Sequence, residues 1–97
     1  MTVTYIDRAV DAMTRELHDQ DPNLIRLYAL LALVCGVNTS RRDVHDAWAV
    51  WRSVTLPQHP AIVPFDDLHP DTQDLDQPYV AAIARVAQEL TAPKVSP

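Results

Sequence analysis

Residues 40–68, SRRDVHDAWAVWRSVTLPQHPAIVPFDDL, hold both tryptophans, the adjacent pair Arg41 and Arg42, two of the four histidines and a run of closely spaced prolines. Ser40 with Asp43 three residues later reads as a capping box with Asp in place of Glu, and opens a helix through about residue 54. Val44, Ala47, Trp48 and Trp51 follow at i, i+3, i+4 and i+7, the period of a helix that buries one stripe. Pro57, Pro60 and Pro64 exclude a regular helix over residues 55–64, because proline fixes φ, lacks a donor and disfavours helical backbone in the residue before it. An extended arm is expected there. Val44, Ala47 and Trp51 would meet Ile62, Val63 and Phe65 along a seam that holds the arm to the helices.

Upstream, Ile6, Ala9, Val10, Met13 and Leu17 recur at spacings of three and four, so residues 2–18 are expected to form an amphipathic helix capped by Thr2 or Thr4. Asp11 and Arg15 on its outer side make an i,i+4 pair. Asp21 before Pro22 signals the next helix, because the acid accepts at the N-cap and proline suits the first position. That helix, residues 22–35, is apolar nearly all round and is expected to be central. Gly36, the only glycine in the chain, suits the left-handed position that ends a helix.

Downstream, residues 66–76 carry five aspartates and are expected to give a turn of helix with capping loops. Asp76 is placed to cap a last helix, residues 78–90, with Tyr79, Ile83, Val86 and Leu90 facing inward. Residues 91–97 read as a frayed tail. The expected fold is all-α, one domain over residues 1–90: a compact bundle of four main helices with a proline-containing arm between the third and fourth.

Composition narrows the function. Thirteen acids against eight lysines and arginines give a formal charge of −5, which argues against nucleic acid as a partner, since phosphate binding depends on clustered cations. The apolar run around residues 24–37 is interrupted by Arg26 and is shorter than the ~20 residues a membrane span needs. Asp7, Arg8 and Asp11 stand where a leader would be apolar, so a cytoplasmic protein, or one in the host cytoplasm if phage-encoded, is expected. A single cysteine, Cys35, forbids an intrachain disulfide and is expected to be a small buried hydrophobe.

Chemistry-bearing patterns are sparse. The aspartates lack calcium-loop spacing, and there is no HExxH, Cys/His ligand set, phosphate loop or nucleophile elbow. No enzyme activity, metal or cofactor is therefore expected. His59 and His69 read as exposed or locally bonded. His45, Trp48 and Arg52 share one flank of the third helix. They suit either a small cleft, with an indole platform and a guanidinium for phosphate or carboxylate, or a core edge with Arg52 paired to an aspartate. In the first case Trp48 is the expected wall and Trp51 the core member. Arg41 and Arg42 place two cations in a first turn, against the helix dipole. They call for compensation, from the downstream aspartates or from an external anion.

The succession His45, Ala47, Trp48, Arg52, then His59-Pro60, Ile62-Val63-Pro64-Phe65, Leu68 and Asp76 resembles the ryanodine-receptor-type repeat, the RyR domain. It is also similar to small uncharacterised proteins of actinobacteria and their phages, in which DVHDAWAxW is followed by HPxxVPFxxL and DxPYxxAI. The likeness covers about residues 27–86. It implies a helical module that binds ligands or partners without chemistry, in which aromatic residues form a cleft for an adenine nucleotide. The receptor repeats carry a longer glycine- and aromatic-containing segment where this chain has SVTLPQ, so half of that clamp has no counterpart here. Two functions follow as expectations. One is a protein-interaction module, an accessory protein of an actinobacterial phage or prophage, binding another protein or a second copy of itself. The other is a binding module or sponge for a nucleotide-derived signal. In either case the expected contact residues are Arg41, Arg42, His45, Trp48 and Arg52.

Overall fold

A computed structural model describes residues 2–91; of the tail expected over residues 91–97, Thr91 ends the last helix and the rest lies outside the described residues. The architecture is all-α: α1 (Tyr5–Glu16), α2 (Pro22–Val34), a 3-10 turn (Gly36–Asn38), α3 (Arg41–Thr55), a second 3-10 turn (Phe65–Asp67), the short α4 (Pro70–Asp74) and α5 (Gln77–Thr91). No strand occurs among the described residues.

Local chemistry sets the boundaries. Thr4 caps α1 with its side-chain oxygen on the Asp7 N–H at 3.1 Å, and Asp7 answers through its carboxylate on the Thr4 N–H at 2.9 Å. The helix therefore starts three residues later than an opening at residue 2, because the cap itself is non-helical. Asp21 accepts from the Asn23 N–H at 2.8 Å to start α2. Gly36 takes φ +60° after the C-cap Cys35, a conformation in which L side chains are strained. Ser40 and Asp43 form the reciprocal box at 3.1 and 2.9 Å.

α2 packs against α1, α3 and α5, and α5 reaches across to α1, α3 and the first 3-10 turn. The core they enclose contains Ala9, Met13, Ile25, Tyr28, Val44, Ile83 and Val86. Val44 thus belongs to the bundle core, not to a seam with the arm. The outer side of α2 is open, with Leu30, Val34 and Val37 just past it 51%, 68% and 57% exposed. A helix apolar all round is covered here on only part of its circumference.

Two expected details differ. Arg15 bonds Glu89 of α5 at 2.6 Å, so it joins two helices where an intrahelical pair with Asp11 was expected. Cys35 is half-buried, not enclosed; desolvation, with Asp43 adding to it, pushes its thiol above the usual range, which suits an inert side chain.

The arm leaves α3 at Leu56, passes through two tight turns and returns through Phe65 and Leu68, both buried. Val63, one of its expected anchors, is largely outside, 36% exposed. It contributes its carbonyl instead.

Candidate functional site

Four helices and the arm surround an open cleft of about 480 Å³. α3 supplies His45, Trp48, Trp51 and Arg52; α2 supplies Leu24 and Tyr28; the arm supplies His59 and Ala61; Leu68, Thr72, Leu75, Asp76 and Tyr79 close the far side. The volume is that of a small-molecule site, and the lining is mostly apolar and aromatic with few polar groups.

His45 is the hinge between arm and helix. Only 3% exposed, its Nε2 lies 2.6 Å from the Val63 carbonyl oxygen. A carbonyl only accepts, so Nε2 carries the proton and donates. The ring is stacked against Trp48 at 5.8 Å and tilted against Phe65 at 6.1 Å. Trp48 in turn receives His59 edge-on at 5.1 Å. The arm's turn fixes His59, whose Nδ1 accepts from the Ala61 N–H at 3.1 Å. His45, Trp48 and His59 thus form one aromatic wall. Opposite it, Tyr28 and Tyr79 lie tilted with centroids 5.6 Å apart.

Two charged groups of the cleft have no partner within the described chain. The guanidinium of Arg52 lies over the Trp51 ring, 5.3 Å from its centroid, and makes none of the ion pairs formed by Arg15, Arg41, Arg42 and Arg85. The Asp76 carboxyl is half-buried, and burial pushes it above the usual carboxylate range although His45 and Arg41 oppose the shift. No described residue donates a hydrogen bond to it; the cap that α5 receives comes from the Asp76 main-chain carbonyl, on the Tyr79 and Val80 N–H groups. Burial, reinforced by Tyr79 and Asp76, also raises Tyr28 above the usual phenol range. Its hydroxyl therefore stays protonated and available as a donor.

The five contact residues expected from sequence divide. His45, Trp48 and Arg52 come together in the cleft, while Arg41 and Arg42 lie outside its lining. Arg41 bonds Asp74 at 2.8 Å and Arg42 bonds Asp66 at 2.7 Å. Both guanidinium groups also sit over the Phe65 ring, at 5.9 and 5.5 Å. The first-turn cations are thus compensated internally. Trp48 and Trp51, expected to divide into cleft wall and core, are both half-buried and both line the cleft.

Sequence reasoning missed Tyr28, His59, Asp76 and Tyr79 as cleft residues. A phenol among the leucines and alanines of a mostly apolar helix was the available signal for Tyr28. The others depend on how the arm and α5 fold back, which no local pattern reports. His69, with its Nδ1 accepting from the Asp71 N–H at 3.2 Å, starts α4 and is exposed, as a local role requires. No cluster of three His, Cys, Asp or Glu suited to a metal occurs among the described residues, and no helix there is long and apolar enough to cross a membrane.

A family model described as a domain of unknown function, DUF7701, matches residues 3–88. No curated protein and no solved structure matches the chain.

Proposed function

We propose that this chain, which belongs to the DUF7701 family, is a binding module that holds a nucleotide or nucleotide-derived small molecule in the Trp48 cleft and performs no chemistry on it. The observation that carries the reading is the state of Arg52: it lies at an open aromatic cleft, on the face of Trp51, with no acid of the described chain paired to it. A planar guanidinium held on an indole is prepared for phosphate or carboxylate, and the stack limits the side-chain freedom lost on binding. Aromatic walls of six rings, two of them indoles, supply stacking surface for a flat heterocycle. The likeness to the RyR repeat points the same way, with Arg41 and Arg42 now left out of the contact set.

Thermal unfolding of the wild type against a panel of mononucleotides, cyclic dinucleotides and ADP-ribose tests this. A ligand at a hundredfold its dissociation constant stabilises by ~2.7 kcal/mol, and Trp48→Ala should abolish that gain while still folding. A panel without any stabilising ligand at millimolar concentration contradicts the reading.

A second reading, an interaction module for another protein or a second copy, is favoured by one observation. Leu30, Val34 and Val37 form an exposed apolar strip on the side of the bundle formed by α2 and the following turn, and such strips are common at protein contacts.

A further inference from the structure

The cleft has two different ends. α3 runs along it, with His45 near one end and Arg52 seven residues later, ~10 Å along the axis. Asp76 belongs to the His45 end, since it shares the cleft lining with His45 and Arg41, in the first turn of α3, bonds Asp74 two residues before it at 2.8 Å; the charges of His45 and Arg41 also act on it. Tyr28 lies close enough to feel Asp76 as well. Trp48 and Trp51 stand between His45 and Arg52 along α3 and line the cleft with them. One cleft therefore holds a carboxylate without a donor and a guanidinium without an acid, kept apart by indoles, in a chain where four of the six other arginines have found acids.

Building on the reading of the cleft as a nucleotide site, we propose that it is specific for guanine nucleotides, with Asp76 reading the base and Arg52 holding the phosphate. A carboxylate offers two parallel acceptors and is satisfied best by two parallel N–H donors. Guanine presents such an edge, N1–H beside the N2 amine. Adenine and cytosine present one donor beside a ring acceptor, which would face a carboxylate oxygen lone pair to lone pair; uracil presents a single N–H between two carbonyls. The O6 acceptor next to guanine N1 then needs a donor, and the protonated Tyr28 hydroxyl beside Asp76 supplies it. At the other end of the cleft Arg52 meets the 5′-phosphate, and Trp48 stacks on the base. On its own Asp76 is a half-buried acid that no described residue gives a hydrogen bond; with guanine against it, both carboxylate oxygens have donors.

Calorimetric titration of the full chain with GMP, IMP and AMP tests the assignment, because IMP differs from GMP only by the missing N2 amine. GMP is expected to bind at least tenfold more tightly than IMP or AMP. Asp76→Asn, which keeps the shape of the side chain, should bring GMP and IMP within about threefold of each other. Equal binding of all three nucleotides to the wild type, or a preference for GMP that survives Asp76→Asn, overturns the role of Asp76 and leaves the nucleotide cleft standing. Binding of none of the three overturns both. The comparison of GMP with IMP on the wild type decides the matter even if the variant does not fold.

Discussion

Asp76 and His45 line the same cleft and carry opposite lessons about burial. For Asp76 the folded protein favours the neutral acid, since desolvation raises its carboxyl above the ordinary value. A carboxyl raised by folding adds stability only where it is protonated, and that contribution is lost as pH rises through its folded pKa. Asp76→Asn should therefore be more stable than the wild type at neutral pH, and the difference should vanish as pH falls below about 4, where the unfolded carboxyl is neutral as well. Equal unfolding midpoints at pH 7 would contradict this. Binding runs the other way: guanine needs the ionised acid, so affinity should fall on acidification at a pH above the ordinary carboxylate range. His45 is buried and satisfied. His45→Ala removes the donor to the Val63 carbonyl and the ring between Trp48 and Phe65, for an expected loss of ~2 kcal/mol in urea unfolding. A loss below ~0.5 kcal/mol would mean that the arm does not depend on this bond.

Among the elements, helices announced themselves and the arm did not. The boxes at Thr4 and Ser40, the Asp21-Pro22 start and the Gly36 stop are local chemistry, complete within four residues, so their places were legible in the chain. The course of residues 56–68 was legible as an absence of helix with apolar anchors, of which Phe65 is buried and Val63 is not. Its fixation is long-range: the His45 bond to Val63, His59 on the edge of Trp48, and Phe65 under two arginines. Periodicity placed Trp48 and Arg52 on one flank correctly, yet it could not say that Asp76, just before α5, and Tyr79 within it would close the same space. Phe65 is the joint on which this arrangement turns, buried and also bonded through its carbonyl to Gln73 Nε2 at 2.9 Å. Phe65→Ala should cost ~3 kcal/mol and speed amide exchange through residues 56–68 more than through α1. Uniform acceleration across the chain would show that the arm has no separate joint.

For the molecule as a whole, two surfaces compete to explain the same small bundle. The strip of Leu30, Val34 and Val37 predicts self-association: if it is a contact between copies, sedimentation at high concentration shows a dimer that Leu30→Glu returns to monomer. A monomer at every concentration removes a second copy as its occupant. The ion pairs between helices, Arg15 with Glu89 and Arg85 with Glu16, are exposed and contribute little to stability in water. The cleft is the feature with unmet chemistry, and the central claim is that it holds a nucleotide. The chain has only two tryptophans, and both line that cleft. Their two indole N–H signals in a heteronuclear NMR titration with GMP therefore give the most direct measurement. With a nucleotide held in the cleft, both signals move together and saturate while the α2 strip is undisturbed. Indole signals that stay fixed up to millimolar GMP would contradict the claim.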